Sequence, residues 1–114
     1  MKPEVNAHGV YEDATEVLEH TTPSGAQVRI ILVQCVEGWR EGAEYKGQWC
    51  GGGYWPNVKD RPHDNRASAV AEGTAYLARQ FGSTCRNDLT EKEIAQRDEV
   101  IDWCNGRGQQ ELFE

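Results

Sequence analysis

Only two phenylalanines and one methionine occur in these 114 residues, so a core has to come from branched aliphatics and from four Trp and four Tyr. No apolar run approaches the roughly 20 residues of a membrane span. The N terminus also lacks the charged-then-apolar layout of a signal peptide, and a cytoplasmic protein is expected. Positive charge is in short supply: 12 Lys and Arg stand against 19 Asp and Glu, a net charge of −7. Basic side chains dominate nucleic-acid affinity, so this balance argues against direct nucleic-acid binding. An acidic surface suits a basic protein groove instead. The four cysteines, Cys35, Cys50, Cys85 and Cys104, include no Cys-x-x-Cys pair, which argues against a compact zinc knuckle. In a cytoplasmic chain they are expected as free thiols, mostly buried as small hydrophobes. Gly51-Gly52-Gly53 lacks the Gly-Lys-Ser/Thr end of a P-loop and lies in strand context. Nothing in the sequence implies a cofactor or a metal.

What is present suits one modest domain. Residues 1–14 are polar and aperiodic, and read as an irregular, partly mobile arm. Glu16–Thr21 leads into Thr22-Pro23-Ser24-Gly25, where Pro presets φ and Gly accepts the positive φ that closes a turn. Gln27–Val36 is largely β-branched and apolar on both faces between Ile30 and Val33, as a central strand should be. Glu37-Gly38 turns the chain again, and Lys46-Gly47 reads as a two-residue hairpin turn. That register would set Trp39 opposite Tyr54 and Ala43 opposite Cys50. The other face would carry Gly42, Gly51 and Gly53, leaving it open to a close backbone or helix.

Two helices follow the polar loop 56–65. Ala67, Val70, Ala71, Thr74, Leu77, Ala78 and Phe81 recur at spacings of three and four, and Gly82 is placed to stop the helix. Gly73 inside it costs about 1 kcal/mol relative to Ala, which points to close packing or a local weakness. Thr90 with Glu93 forms a capping box and Leu89 with Ile94 a hydrophobic staple. The second helix then carries Ile94, Arg97, Ile101 and Cys104 on one face, flanked by Val100. The sum is an α+β domain over 15–104: a three- to four-stranded antiparallel sheet in β-β-β-β-α-α order, with helices packed on one face. Residues 105–114 read as a tail behind the spacer Asn105-Gly106-Arg107-Gly108.

Three groups of residues carry functional possibilities. His63 beside Asp64 offers a base and an orienting acid. Neighbours in a loop seldom face each other, though, and Asp64 or Asn65 is better read as the cap of the first helix. A zinc site from Cys50, Cys85 and His63 would need three distant segments to converge. The aromatics Trp39, Tyr45, Trp49, Tyr54 and Trp55 either fill the core or, where exposed, form a binding face. Trp39, Tyr45, Trp49 and Trp55 are the candidates for partner contact. In the tail, Leu112 and Phe113 are large apolar side chains in a polar segment that cannot build a core of its own.

Gln109, Leu112 and Phe113 form the pattern Gln-x-x-Leu-Phe, which resembles the peptide with which bacterial, phage and plasmid proteins dock on the replication sliding clamp. In that family the Gln amide anchors the backbone and Leu-Phe fills an apolar pocket. Gln110 and Glu111 depart from its commoner Leu and Ser/Asp. The order of turn, strand, Gly-Trp-Arg hairpin, glycine-rich strand and Ala-rich helix over 16–82 also resembles small uncharacterised proteins of plasmids, prophages and other mobile elements. These resemblances imply a non-enzymatic accessory protein whose tail docks on a host protein, the sliding clamp. Two alternatives stand beside it: an acidic inhibitor of a host defence or nucleic-acid-processing complex, akin to some anti-CRISPR proteins, and a small metal-binding or catalytic protein using His63 and the cysteines.

Overall fold

The computed structural model describes residues 4–48, 50–82 and 89–112, the last five as backbone. Four strands, β1 (Glu16–Thr21), β2 (Gln27–Cys35), β3 (Gly38–Lys46) and β4 (Gly51–Tyr54), precede two helices, α1 (Arg66–Gly82) and α2 (Glu91–Leu112). The sheet is antiparallel throughout, in the order β1-β2-β3-β4. This is the α+β meander-then-helices arrangement expected from the sequence. Among the described residues no helix is long and apolar enough to cross a membrane.

One face of the sheet meets α1. Val28, Ile30 and Leu32 of β2 and Ala43 of β3 are fully or almost fully buried with Val70, Leu77 and Phe81 of α1. Gly73 lies where α1 comes closest, since a Cβ there would stand 2.9 Å from Ile30 Cγ2. The helical glycine therefore marks close packing. The buried stripe of α1 is rotated from the expected one: Ala69 and Gly73 face inward, while Ala67 and Ala71 are exposed. The missing side chain of Gly73 lets this phase of the helix approach Ile30, which a Cβ there would meet at 2.9 Å. Asn65 caps the helix, its Oδ1 accepting from Ser68 N–H at 2.8 Å, and Gly82 is the last of its described residues. Arg66, the first helical residue, forms a two-pronged pair with Glu16 at 2.8 and 2.7 Å, tying the helix start to β1.

The opposite face is covered by irregular chain. Ile31 and Val33 point away from α1, yet both are fully buried. The segment leaving β4 passes over Gly42, the strand partner of Ile31. Residues 4–14 are bound to the body through the bridge Val10↔Asn57 and the bond from Tyr11 N–H to Pro56 O at 3.0 Å. The ring of Tyr11 is buried.

The β3–β4 hairpin departs from the expected register. Lys46 pairs with Gly51 and Ala43 with Tyr54, and Gly47 N–H donates to Cys50 O at 2.8 Å in the same register, so the hairpin closes two residues later than expected. Trp39 stands opposite Gln34 and bridges to His63 instead of facing Tyr54. The pairing is displaced by four residues, an even number, so Gly42, Gly51 and Gly53 keep the face expected of them. The displaced turn is held from outside: Gln96 of α2 accepts from Gln48 N–H through Oε1 and donates through Nε2 to Ser24 O, both at 2.8 Å. One glutamine thus joins the β1–β2 and β3–β4 turns to α2.

That role rewrites the expected face of α2. Glu93, Gln96, Val100 and Cys104 are buried, whereas Ile94 is exposed. The capping box forms as expected, Thr90 Oγ1 accepting from Glu93 N–H at 3.2 Å and Glu93 Oε1 from Thr90 N–H at 3.1 Å. The helix also runs farther than expected, through Asn105-Gly106-Arg107-Gly108 to Leu112.

Two glycines test this geometry in opposite directions. At Gly42 a Cβ would lie 2.5 Å from Tyr54 O and 2.7 Å from Pro56 Cδ, whereas at Gly106 nothing lies within 4 Å. Gly42→Ala should destabilise the protein by about 2–3 kcal/mol. Gly106→Ala should stabilise it by about 0.5–1 kcal/mol, because alanine suits a helix interior. Urea unfolding reads both, and a Gly106→Ala variant no more stable than wild type would contradict a continuous α2.

Candidate functional site

Beyond the end of β4 the edge of β3 is taken up by the loop that leads to α1. His63 there pairs with Trp39 as a strand residue would, with Trp39 N–H to His63 O at 2.8 Å and His63 N–H to Trp39 O at 2.7 Å. Gly38 makes the approach possible, since a Cβ on it would come within 2.2 Å of His63 O, and its φ of +137° disfavours other residues. Side chains alternate along a strand, so Trp39, Glu41 and Ala43 share the face that meets α1. Their lateral partners are His63 and Tyr54, and Glu41 stands between the two.

The resulting chain is Tyr54–Glu41–His63. The Tyr54 hydroxyl donates to Glu41 Oε2, and His63 Nε2 lies 3.2 Å from Glu41 Oε1. Only 11% of the Glu41 side chain and 22% of the His63 side chain is exposed. Burial pushes the Glu41 carboxyl above its usual range, against the pull of the bonds from Tyr54 and His63. Burial, with the adjacent Glu41 carboxylate, pushes the Tyr54 phenol far up, so Tyr54 remains a donor. An ionised carboxylate only accepts, which places a proton on His63 Nε2 and leaves Nδ1 as the acceptor of a neutral ring. The chain lines a groove of 380 Å³ whose far wall is Glu72, Tyr76 and Arg79 of α1. The Tyr54 and Tyr76 rings meet edge to face at 4.7 Å.

Arg40, adjacent to Glu41 but on the opposite face, holds the loop from behind. Its guanidinium donates to Asp60 O at 3.2 Å, Val58 O at 3.3 Å and the Tyr11 hydroxyl at 2.9 Å. It also reaches Cys35 Sγ at 3.1 Å and Glu37 Oε2 at 3.4 Å. A single buried cation thereby joins the N-terminal segment, the β2–β3 turn and the loop that presents His63.

The residues singled out from the sequence are distributed differently. His63 takes part in the groove, but its carboxylate is Glu41 from the neighbouring strand rather than Asp64, which is exposed. Trp39 and Tyr45 pack against the core, Tyr45 edge-on to Phe81 at 5.7 Å with its hydroxyl donating to Gln80 Oε1 at 3.2 Å. Trp55 is half-buried. Trp49, Cys85 and Phe113 lie outside the described residues, as do the side chains of Gln109 and Leu112. Cys35, Cys50 and Cys104 are free thiols. Burial raises Cys50, and pushes Cys104 up to about 11, so both stay protonated. Among the described residues no three His, Cys, Asp or Glu side chains converge as a metal site would require. A larger hollow of 680 Å³ opens at the other end of the sheet, where the charged residues Arg29 and Glu44 already neutralise each other.

Glu41 was the residue sequence reasoning missed, although one signal marks it: a charge in the inward phase of a strand, between Trp39 and Ala43.

Because the folded state raises the Glu41 carboxyl, its stability contribution is full below the unfolded value near 4.5 and is lost as pH rises through the folded one. Glu41→Gln keeps an acceptor for Tyr54 and removes the charge. The variant should therefore gain stability relative to wild type as pH rises above about 4.5, with the two converging at lower pH. Melting temperatures measured from pH 3 to 8 check this, and a constant difference between the proteins would refute it. Compared with known proteins, the chain matches no family model, no curated protein and no solved structure.

Proposed function

We propose that this chain is a non-enzymatic binding protein of a mobile genetic element, which docks on the bacterial replication sliding clamp through Gln109, Leu112 and Phe113. The observation that supports the reading is that the backbone of Gln109 and Leu112 belongs to α2. The helix backbone continues through Leu112, eight residues beyond Cys104, the last buried residue among those whose side chains are described. Asn105 and Gly106, the first residues of that extension, are exposed. In sequence, Gln109, Leu112 and Phe113 follow the i, i+3, i+4 spacing with which helical peptides anchor in apolar grooves. The folded body then serves as the carrier, and its acidic surface lowers non-specific association with nucleic acid at the replication fork.

Paired substitutions test the proposal. Leu112→Ala with Phe113→Ala should abolish co-elution with purified sliding clamp on size exclusion while shifting the melting temperature by less than about 2 °C. Loss of two apolar anchors from such a pocket costs about 2–4 kcal/mol of binding, a thirtyfold or greater weakening. Clamp binding unchanged by the double substitution, or absent in the wild-type protein, would reject the docking role.

A further inference from the structure

A hollow of 250 Å³ opens where the β1–β2 turn, the end of β3 and the start of α2 meet. Lys46 and Lys92 line it, and no Asp or Glu is among its lining residues. In a chain of net charge −7 that is an unusual local balance. The groove beside His63 and the hollow beside Arg29 both carry charge of the two signs. Lys46 and Lys92 are exposed, and among the described residues neither forms an ion pair. The acids of the same stretch of α2 are engaged elsewhere. Glu93 Oε1 accepts from Thr90 N–H, and the two oxygens of Glu99 accept from Ser24. The wall contributed by Gln96 is rigid: this residue is 2% exposed, and its Oε1 is taken by Gln48 N–H. Its Nε2 spends one of its two hydrogens on Ser24 O, so a buried donor is left at the hollow. The side-chain amides of Gln27 and Gln48 also line it and make no hydrogen bond among the described residues.

We propose that this hollow binds a small oxyanion of the phosphate class, either the free ion or a phosphate monoester. Lys46 and Lys92 supply charge from two different elements, and the Gln96 amide supplies a fixed donor between the two turns. Lysine holds phosphate as a compact point charge, whereas a planar carboxylate is matched better by the fork of an arginine, which this hollow lacks. Its volume lies below the roughly 300–1,000 Å³ of pockets for drug-sized ligands, so it suits a small head group. A dianion offsets both ammonium charges at once, and its several oxygens accept from amides on different sides. The net negative charge of the chain repels anions at long range, so binding rests on these short contacts and is modest in strength. Bare backbone at Gly25 and Gly47 keeps the rim free of side chains. The site shares no residue with the C-terminal motif, so the two proposals stand or fall separately.

An NMR titration of the full chain tests the site. Sodium phosphate or glycerol phosphate replaces sodium chloride at constant ionic strength and about pH 8, where both are dianions. Saturable shifts are expected at the Gln48 backbone N–H and the Gln96 side-chain amide. Lys46→Gln and Lys92→Gln should each weaken binding about fivefold, the upper range for a solvent-exposed charge contact, and the double substitution should abolish saturation. Lys59→Gln removes the same charge from an exposed position away from the hollow and should leave binding unchanged. Tighter binding of glycerol phosphate would support the site and identify a phosphorylated small molecule as its occupant, and tighter binding of inorganic phosphate would support it with the free ion. Shifts that grow without saturating, that persist in the double variant, or that Lys59→Gln weakens equally would overturn the proposal.

Discussion

A guanidinium removed from water needs its donors satisfied, and Arg40 meets that requirement by collecting partners from three separate stretches of chain. Its bonds reach Tyr11 before the sheet, Cys35 and Glu37 at the β2–β3 turn, and the carbonyls of Val58 and Asp60 after β4. The irregular third layer is also held by the buried Tyr11 and Pro56 and by backbone bonds such as Tyr11 N–H to Pro56 O. Arg40 is the side chain that links its separate stretches, and it secures the loop that presents His63. The Glu41–His63–Tyr54 chain on the opposite face is therefore organised by the residue next to Glu41 in sequence, acting through the sheet.

The other organising contact is Gln96. Polar groups at turns are normally left to water, but here the N-terminal half of α2 meets the β1–β2 and β3–β4 turns and offers them hydrogen bonds. Glu99 adds to the same arrangement, accepting from the Ser24 N–H at 3.0 Å and the Ser24 hydroxyl at 2.9 Å. Although partial burial opposes it, the bonds from Thr22 and Ser24 hold its carboxyl below the usual range. The helix is amphipathic in an unusual sense: its inward stripe starts polar and becomes apolar at Val100 and Cys104. The stacked His20 and Trp103 rings, 5.7 Å apart, continue that contact along β1.

Periodicity read from the sequence located every strand and both helices, because Ile30–Val33, the capping box at Thr90 and the stop at Gly82 are local signals that tertiary contact had no reason to override. It failed where contact with another element decided the outcome. Ile94 looked like a core residue of α2 but is exposed, since the buried phase belongs to Glu93 and Gln96 and their hydrogen bonds. The β3–β4 hairpin looked as if it turned at Lys46-Gly47 but closes beyond the Gly47–Cys50 bond, held by a glutamine 48 positions away in sequence. His63 was visible as a candidate group beside Asp64. Its actual partner, Glu41, was not, because the two meet only once the loop adds itself to the edge of β3.

The sequence by itself determined the element order, the α+β class, the helix caps and the face on which the glycines of β3 and β4 lie, all consequences of short-range sterics and the two-residue repeat of a strand. It also supplied the Gln109-x-x-Leu112-Phe113 pattern on which the docking proposal rests. The tertiary structure alone decided the hairpin register, the inward turn of Glu93 and Gln96, and the meeting of Tyr54, Glu41 and His63. Those depend on which buried polar groups find partners across long separations, and a one-dimensional pattern of apolar residues carries no record of such pairings.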